Sequence, residues 1–160
     1  QYDTPERILV DPADDFVAQF IGRGASLKRL SLTRVRDIEL FDWPTVSEHA
    51  SQAEAQDLLE RSPQNAVLVL DDHRRPLRWV TQDHLARSAN SRPLRDIGLL
   101  PDALVEPHAT LSDTLNEMIT ARYSTAVVVD SARAYLGVVA RAGAGARYAG
   151  RNAFVSLANG

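Results

Sequence analysis

At 160 residues, 44% of them hydrophobic, the chain has enough apolar material for one compact globule or two closely packed halves, which excludes the disordered and fibrous classes. A formal net charge of −3 supplies no global basic field for nucleic acid, and the absence of cysteine excludes disulfides and thiolate metal centres, in keeping with a cytoplasmic location. No apolar stretch approaches the roughly 18–20 residues of a membrane span, and the opening Gln1-Tyr2-Asp3-Thr4-Pro5 lacks the segments of a secretory signal.

The first predicted element is a helix over 12–21. Asp11 is a good N-cap, Pro12 suits the first helical position, Asp14 and Asp15 fall in the first turn, and Gly22 terminates it. Phe16, Val17, Phe20 and Ile21 form its apolar stripe, which needs a partner surface. Leu27, Leu30 and residues 32–35 read as an extended connector, and Pro44 as a joint. An extended residue, Val46, then precedes a helix over about 51–61, which Ser47 is placed to cap. The all-apolar strand Ala66–Leu70 follows, then a polar turn over 71–76, a strand over 77–81 and a helix from Gln82. The stretch from Arg92-Pro93 to Leu100-Pro101 reads as a second joint. Beyond it, Val105 is extended, and Thr110 or Ser112 begins a helix whose Leu111, Leu115, Met118 and Ile119 are spaced as a core-facing stripe. Strand Thr125–Val129, a turn over 130–134, strand Tyr135–Ala140 and a helix-like segment over 141–148 complete the order.

The second set of elements repeats the first. A shift of 59 residues carries Thr81 onto Ala140, Asp71 onto Asp130 and His49 onto His108, the signature of two small units packed on one another. A unit of roughly 60 residues buries only about 60% of its unfolded surface, against about 70% for a chain near 150 residues, so each copy alone is marginal. The apolar runs Ala66–Leu70 and Ala126-Val127-Val128-Val129 require cover on both faces, which a neighbouring copy and local helices can supply.

This β-α-β-β-α repeat, with its short polar turn, Thr81 closing the third strand of the first copy and Tyr135-Leu136-Gly137-Val138-Val139 in the second, resembles tandem CBS domains, the pair called a Bateman module. The resemblance implies an α/β fold in which two such repeats pack through their sheets behind an N-terminal helical extension. Residues 1–9, 11–22 and Leu27-Lys28-Arg29-Leu30 look like the end of the ATPase domain of ATP-binding subunits from glycine betaine and other osmoprotectant ABC importers, where CBS repeats follow. On that likeness the chain divides into an ATPase remnant with connector helix (1–35), CBS repeats at 36–91 and 92–150, and a tail at 151–160. No GxxxxGK[ST] loop is present, and Gly143, Gly145 and Gly150 do not satisfy GxGxxG, so the expectation is a non-catalytic regulatory piece that requires no cofactor.

In CBS pairs adenine nucleotides bind between repeats, with a Thr or Ser at the end of strand three and an Asp three residues on holding the ribose. Here Thr81 keeps the hydroxyl, while His84 stands at the carboxylate position with Asp83 one place early; the second repeat has Ala140 and Gly143, which accept no ribose hydroxyl. The importer resemblance implies cyclic di-AMP, ahead of AMP or ATP, held where second repeats of a homodimer meet. Tyr123 is then the candidate stacking residue, Val138 and Ala140 a shallow apolar wall, and Arg141 a phosphate contact; Trp79 and Thr81 are the candidates in the first repeat. Tyr123 equally suits a sheet cover and Arg141 a solvated helix end, and Trp43 and Trp79 suit packing. His49 and His108 match by repeat geometry and have no acid or cysteine spacing for a metal. Arg141, Arg147 and Arg151 can each contribute about 1 kcal/mol against an anionic membrane, screened by salt. The partners implied are the ATPase domain of the same chain, a permease at the inner face of the membrane, and a second copy. Two further readings from the residues are a structural dimerisation unit without ligand and an ionic-strength switch.

Overall fold

The computed structural model describes residues 27–62 and 65–140. The helix predicted over 12–21, the helix-like segment over 141–148, Gly143, Arg141, Arg147 and Arg151 lie outside the described residues.

The described residues form two three-stranded sheets of the same construction. β1 (Thr45–Ser47) lies parallel to β2 (Ala66–Leu70), which pairs antiparallel with β3 (Pro76–Thr81); in the second repeat β4 (Leu104–Val105), β5 (Thr125–Val129) and β6 (Tyr135–Ala140) are joined in the same way. The registers match across the repeats: Leu68 faces Trp79 as Val127 faces Val138. The alternation of a strand explains the unbroken apolar runs. Ala66, Leu68 and Leu70 meet Val127, Val129, Val138 and Ala140 in a core shared by the two sheets. Val67 and Val69 point the other way, onto the helices of the first repeat, and Ala126 and Val128 onto those of the second. The predicted pair of mutually covering repeats is therefore the observed architecture.

α2 (Gln52–Arg61) is started by Ser51, whose hydroxyl accepts from the Glu54 amide while the Glu54 carboxylate accepts from the Ser51 amide, a reciprocal cap of both ends of the first turn. The expectation that Ser47 caps this helix is corrected: its hydroxyl accepts from the His49 amide at the end of β1. α3 (Gln82–Ala86) is capped by Thr81, and α4 (Leu111–Thr120) by Thr110, whose hydroxyl accepts from Asp113 N–H at 3.1 Å. Leu111, Leu115 and Met118 of α4 are buried as the spacing predicts. The two hairpin turns are near copies. Asp71 Oδ1 accepts from the amides of His73 and Arg75, Asp130 Oδ1 from those of Ala132 and Ala134, and Arg74 and Arg133 both take positive φ.

A second correction concerns the connector. Leu27–Leu32 is a helix, α1, packed against α4, with Leu30 buried beside Leu111, Leu115 and Met118. Leu, Lys and Arg all have high helix propensity, but six residues are too short a stretch for an apolar periodicity to announce the helix. After α1 the chain crosses to the second repeat. Leu111 donates to the Thr33 carbonyl, Val35 N–H to Ala109 O, Arg36 N–H to Pro107 O, and Phe41 exchanges two 2.9 Å hydrogen bonds with Val138. The inter-repeat joint does the reciprocal thing, with Leu99 pairing with Trp79 on β3. Each sheet is thus closed by the segment that leads into the other repeat. Short 3₁₀ turns at Val35–Asp37 and Leu94–Asp96 mark both crossings, and the sequence behind them, Arg-Asp-Ile at 36–38 and 95–97, recurs at the same 59-residue offset.

Candidate functional site

At the end of β3 the two repeats leave a cleft of about 600 Å³. Thr81 sits at its base. Its hydroxyl accepts from the His84 amide at 3.3 Å, and its own amide donates to His84 Nδ1 at 3.1 Å, so the imidazole is turned back onto the backbone as a cap. With Nδ1 accepting, that geometry assigns the ring proton to Nε2 in the neutral imidazole. Asp83 and Arg87, both well exposed, face one another across one turn at 4.0 Å.

The opposite wall comes from the second repeat, where Arg122 and Tyr123 follow α4. Asp102 holds this corner by accepting from the Arg122 amide at 2.9 Å. Tyr123 is half-buried, and its ring meets the edge of Trp79 at 5.7 Å between centroids. Burial pushes the Tyr123 phenol up from its ordinary value; Arg122 pulls it down and Asp102 adds to the rise. The hydroxyl therefore stays protonated at neutral pH and available as a donor. Leu59 and Leu99 add apolar lining to the cleft. Two guanidinium groups against one carboxylate, a protonated phenol and an aromatic face together suit a planar, anionic ligand.

Of the residues singled out from sequence, Thr81 and Tyr123 line this cleft together. Trp79 lies directly behind Tyr123 and is buried. Val138 and Ala140 have no exposed surface and face the core between the sheets. Arg141 lies outside the described residues. His49 and His108 are far from equivalent in their surroundings: His49 Nε2 is 2.9 Å from Asp72 Oδ1 on the surface, whereas the His108 carbonyl accepts from the Arg34 guanidinium. Arg87, Arg122 and Leu99 are cleft residues that sequence reasoning missed. Only the adjacency of Arg122 to Tyr123 signalled any of them.

Among the described residues no group of three or more His, Asp or Glu side chains is placed to hold a metal ion, and no helix is long and apolar enough to cross a membrane.

No protein-family model matches the chain. The choline transport ATP-binding protein OpuBA of Bacillus subtilis is 28% identical over 150 residues, 89% of this chain, and the osmoprotectant import ATP-binding protein OsmV of Salmonella typhimurium is 30% identical over 109 residues, 63% of it. The chain spans 38% and 28% of the length of these two relatives. Among solved structures, Staphylococcus aureus OpuCA matches 64% of this chain and 88% of its own, with a TM-score of 0.57 at 16% identity. The CBS-pair protein CBSX2 from Arabidopsis thaliana matches 68% and 89%, with a TM-score of 0.59 at 17% identity. The CBS domain of a bacterial CNNM/CorC family Mg2+ transporter, solved in complex with ATP, matches 71% and 85%, with a TM-score of 0.56 at 18% identity.

Proposed function

We propose that this chain, a CBS-domain pair homologous to the C-terminal region of the ATP-binding subunits of choline and osmoprotectant importers, is the regulatory part of such a subunit and does no catalysis itself. In this reading it gates transport by binding an adenine-containing nucleotide, with cyclic di-AMP favoured over AMP and ATP, while ionic strength acting on its arginines is a second input. Its partners are the ATPase domain of the same chain, the permease at the cytoplasmic face of the membrane, and a second copy in a homodimer.

The observation that carries the reading is that one cleft is walled by both repeats, Thr81, Asp83 and Arg87 from the first and Arg122 and Tyr123 from the second. A nucleotide lying across it touches both halves, so it favours whichever relative placement fits it best. The base stacks on Tyr123, the Thr81 hydroxyl reaches the sugar, and Arg87 and Arg122 meet phosphate. The position where CBS pairs carry the ribose-binding carboxylate holds His84, its imidazole turned back onto the backbone, and Asp83 stands one residue early, opposite Arg87, which disfavours AMP and ATP. In cyclic di-AMP the 3′ oxygen is already esterified, so that carboxylate is not needed. A coupling of about 1–3 kcal/mol is enough to alter transport several-fold.

Calorimetry of the chain with cyclic di-AMP, AMP and ATP tests this. Micromolar binding of cyclic di-AMP that weakens at least about tenfold in Tyr123→Ala and Arg122→Ala, or about 1.4 kcal/mol, supports it. Silence with all three nucleotides at high micromolar concentration removes the ligand version. A structural dimerisation unit then remains, a reading that the sealed positions of Val138 and Ala140 also favour for the second repeat.

A further inference from the structure

Three aromatic rings form a continuous row from the cleft into the interior, and a fourth aromatic residue, Tyr135, is hydrogen-bonded to its inner end. Tyr123 on the cleft wall meets Trp79 edge-on at 5.7 Å; Trp79 meets Trp43 at 5.8 Å with the planes 78° apart; and Trp43 donates its backbone N–H to the Tyr135 hydroxyl at 2.8 Å. Trp79, Trp43 and Tyr135 are buried. Trp43 is pinned further by its indole N–H, which donates to Ala66 O at 3.0 Å. Close-packed rings of this kind have few alternative rotamers, so a displacement at one end is passed to its neighbour instead of being absorbed.

The inner end of the row lands on the connector. Trp43 lies two residues after Phe41, whose paired hydrogen bonds to Val138 close the second sheet, and the same strip of chain runs back through Val35 to α1. The first repeat's cleft and the segment leading upstream therefore meet at Trp43, although Thr81 and Phe41 lie on different sheets.

We infer that the Tyr123–Trp79–Trp43 row transmits occupancy of the cleft to the connector at residues 33–43, so that the module's output leaves through its N-terminal side. The inference rests on the cleft being a ligand site, as proposed above. It adds the direction in which the signal travels and the side chains that carry it. Among the described residues, Trp79 is the ring that touches both Tyr123 and Trp43.

The sequence has two tryptophans, so Trp79→Phe leaves Trp43 as the sole indole reporter in the full 160-residue chain. With saturating cyclic di-AMP, Trp43 emission is expected to shift in Trp79→Phe, which keeps a ring in the row, and to lose most of that shift in Trp79→Leu. Calorimetric affinity should stay within about threefold in both. Equal shifts in the two variants, or none in Trp79→Phe while calorimetry reports binding, overturn the inference and leave the ligand reading intact. A second arm needs no ligand and tests the row's coupling by itself, including when Trp79→Leu fails to fold. In Tyr123→Leu, hydrogen exchange of the Phe41 and Trp43 amides is expected to quicken at least about fivefold, while that of the Ala55 amide in α2 does not change. Wild-type exchange at Phe41 and Trp43 in this variant overturns the inference outright.

Discussion

At Gly98 the inter-repeat joint packs tightly against the first sheet, and Gly98→Ala is a sharp test of that geometry. Its φ is +90°, and a Cβ built there stands 2.1 Å from the Trp79 carbonyl oxygen and 3.2 Å from a Val80 methyl. Two costs add. Left-handed backbone disfavours a non-glycine residue by roughly 1–2 kcal/mol. The clash is with backbone, so relief requires the joint to move off β3, weakening the hydrogen bonds that Trp79 and Leu99 exchange at 2.7 and 3.0 Å, each of net worth about 0.5–1.5 kcal/mol. The sum is about 2–5 kcal/mol. For a chain of this size each kcal/mol lowers Tm by about 2–4 °C, so the variant should melt about 4–20 °C below the wild type in a circular-dichroism scan. Because Leu99 also lines the cleft, the nucleotide binding proposed there should weaken at the same time. A Tm within about 1 °C of wild type would show that the joint does not lie against β3 as described.

Three further outcomes follow from particular contacts. Leu115→Ala, at a buried position between α4 and α1, should cost about 2–5 kcal/mol in urea unfolding, and a loss under about 1 kcal/mol would refute the tight packing of this face. Ser51→Ala removes the cap of α2 and should cost about 1 kcal/mol, and an unchanged unfolding midpoint would refute its role. Desolvation pushes the Asp71 carboxyl up, but hydrogen bonds from the Arg75 amide and guanidinium and the His73 amide outweigh it and hold the group below its ordinary 3.8. A depressed folded-state value means stability that is present above 3.8 and is lost as pH falls through it toward the lower folded value. The deficit of Asp71→Asn relative to wild type should therefore be largest near neutral pH and shrink below about pH 4; a pH-independent deficit would refute the charge-assisted turn.

The fold was legible because both central strands are apolar at every position, a pattern that only a doubly covered strand satisfies, and because it recurs at a fixed offset. The boundaries of β2, β5 and β6 follow from those runs. α1 was not legible, since its identity as a helix depends on the groove of α4 more than on its own six residues. The crossing segments were written in the sequence as a repeated Arg-Asp-Ile, but a polar tripeptide carries no periodicity and reads as coincidence until Val35 and Leu94 are seen in the cores. At the site, Thr81 and Tyr123 stood out as a strand-end hydroxyl and a lone aromatic. Arg87 and Arg122 did not, because one arginine among seventeen has no local pattern to distinguish a cleft wall from open surface. Val138 and Ala140 illustrate the converse: a small apolar residue at a strand end suits a ligand wall and a sealed core equally, and only the facing sheet decides.

The crossing of the chain at Phe41 also bears on how the protein is made. The residues that complete the second sheet are synthesised nearly a hundred positions before Val138, the strand residue they pair with, so they leave the ribosome early and wait longest for a partner. The residue that closes the first sheet, Leu99, follows its partner Trp79 by only 20 positions. Final docking of the early segment is a long-range closure, intrinsically slow, and until it happens one edge of the second sheet stands open to neighbouring chains.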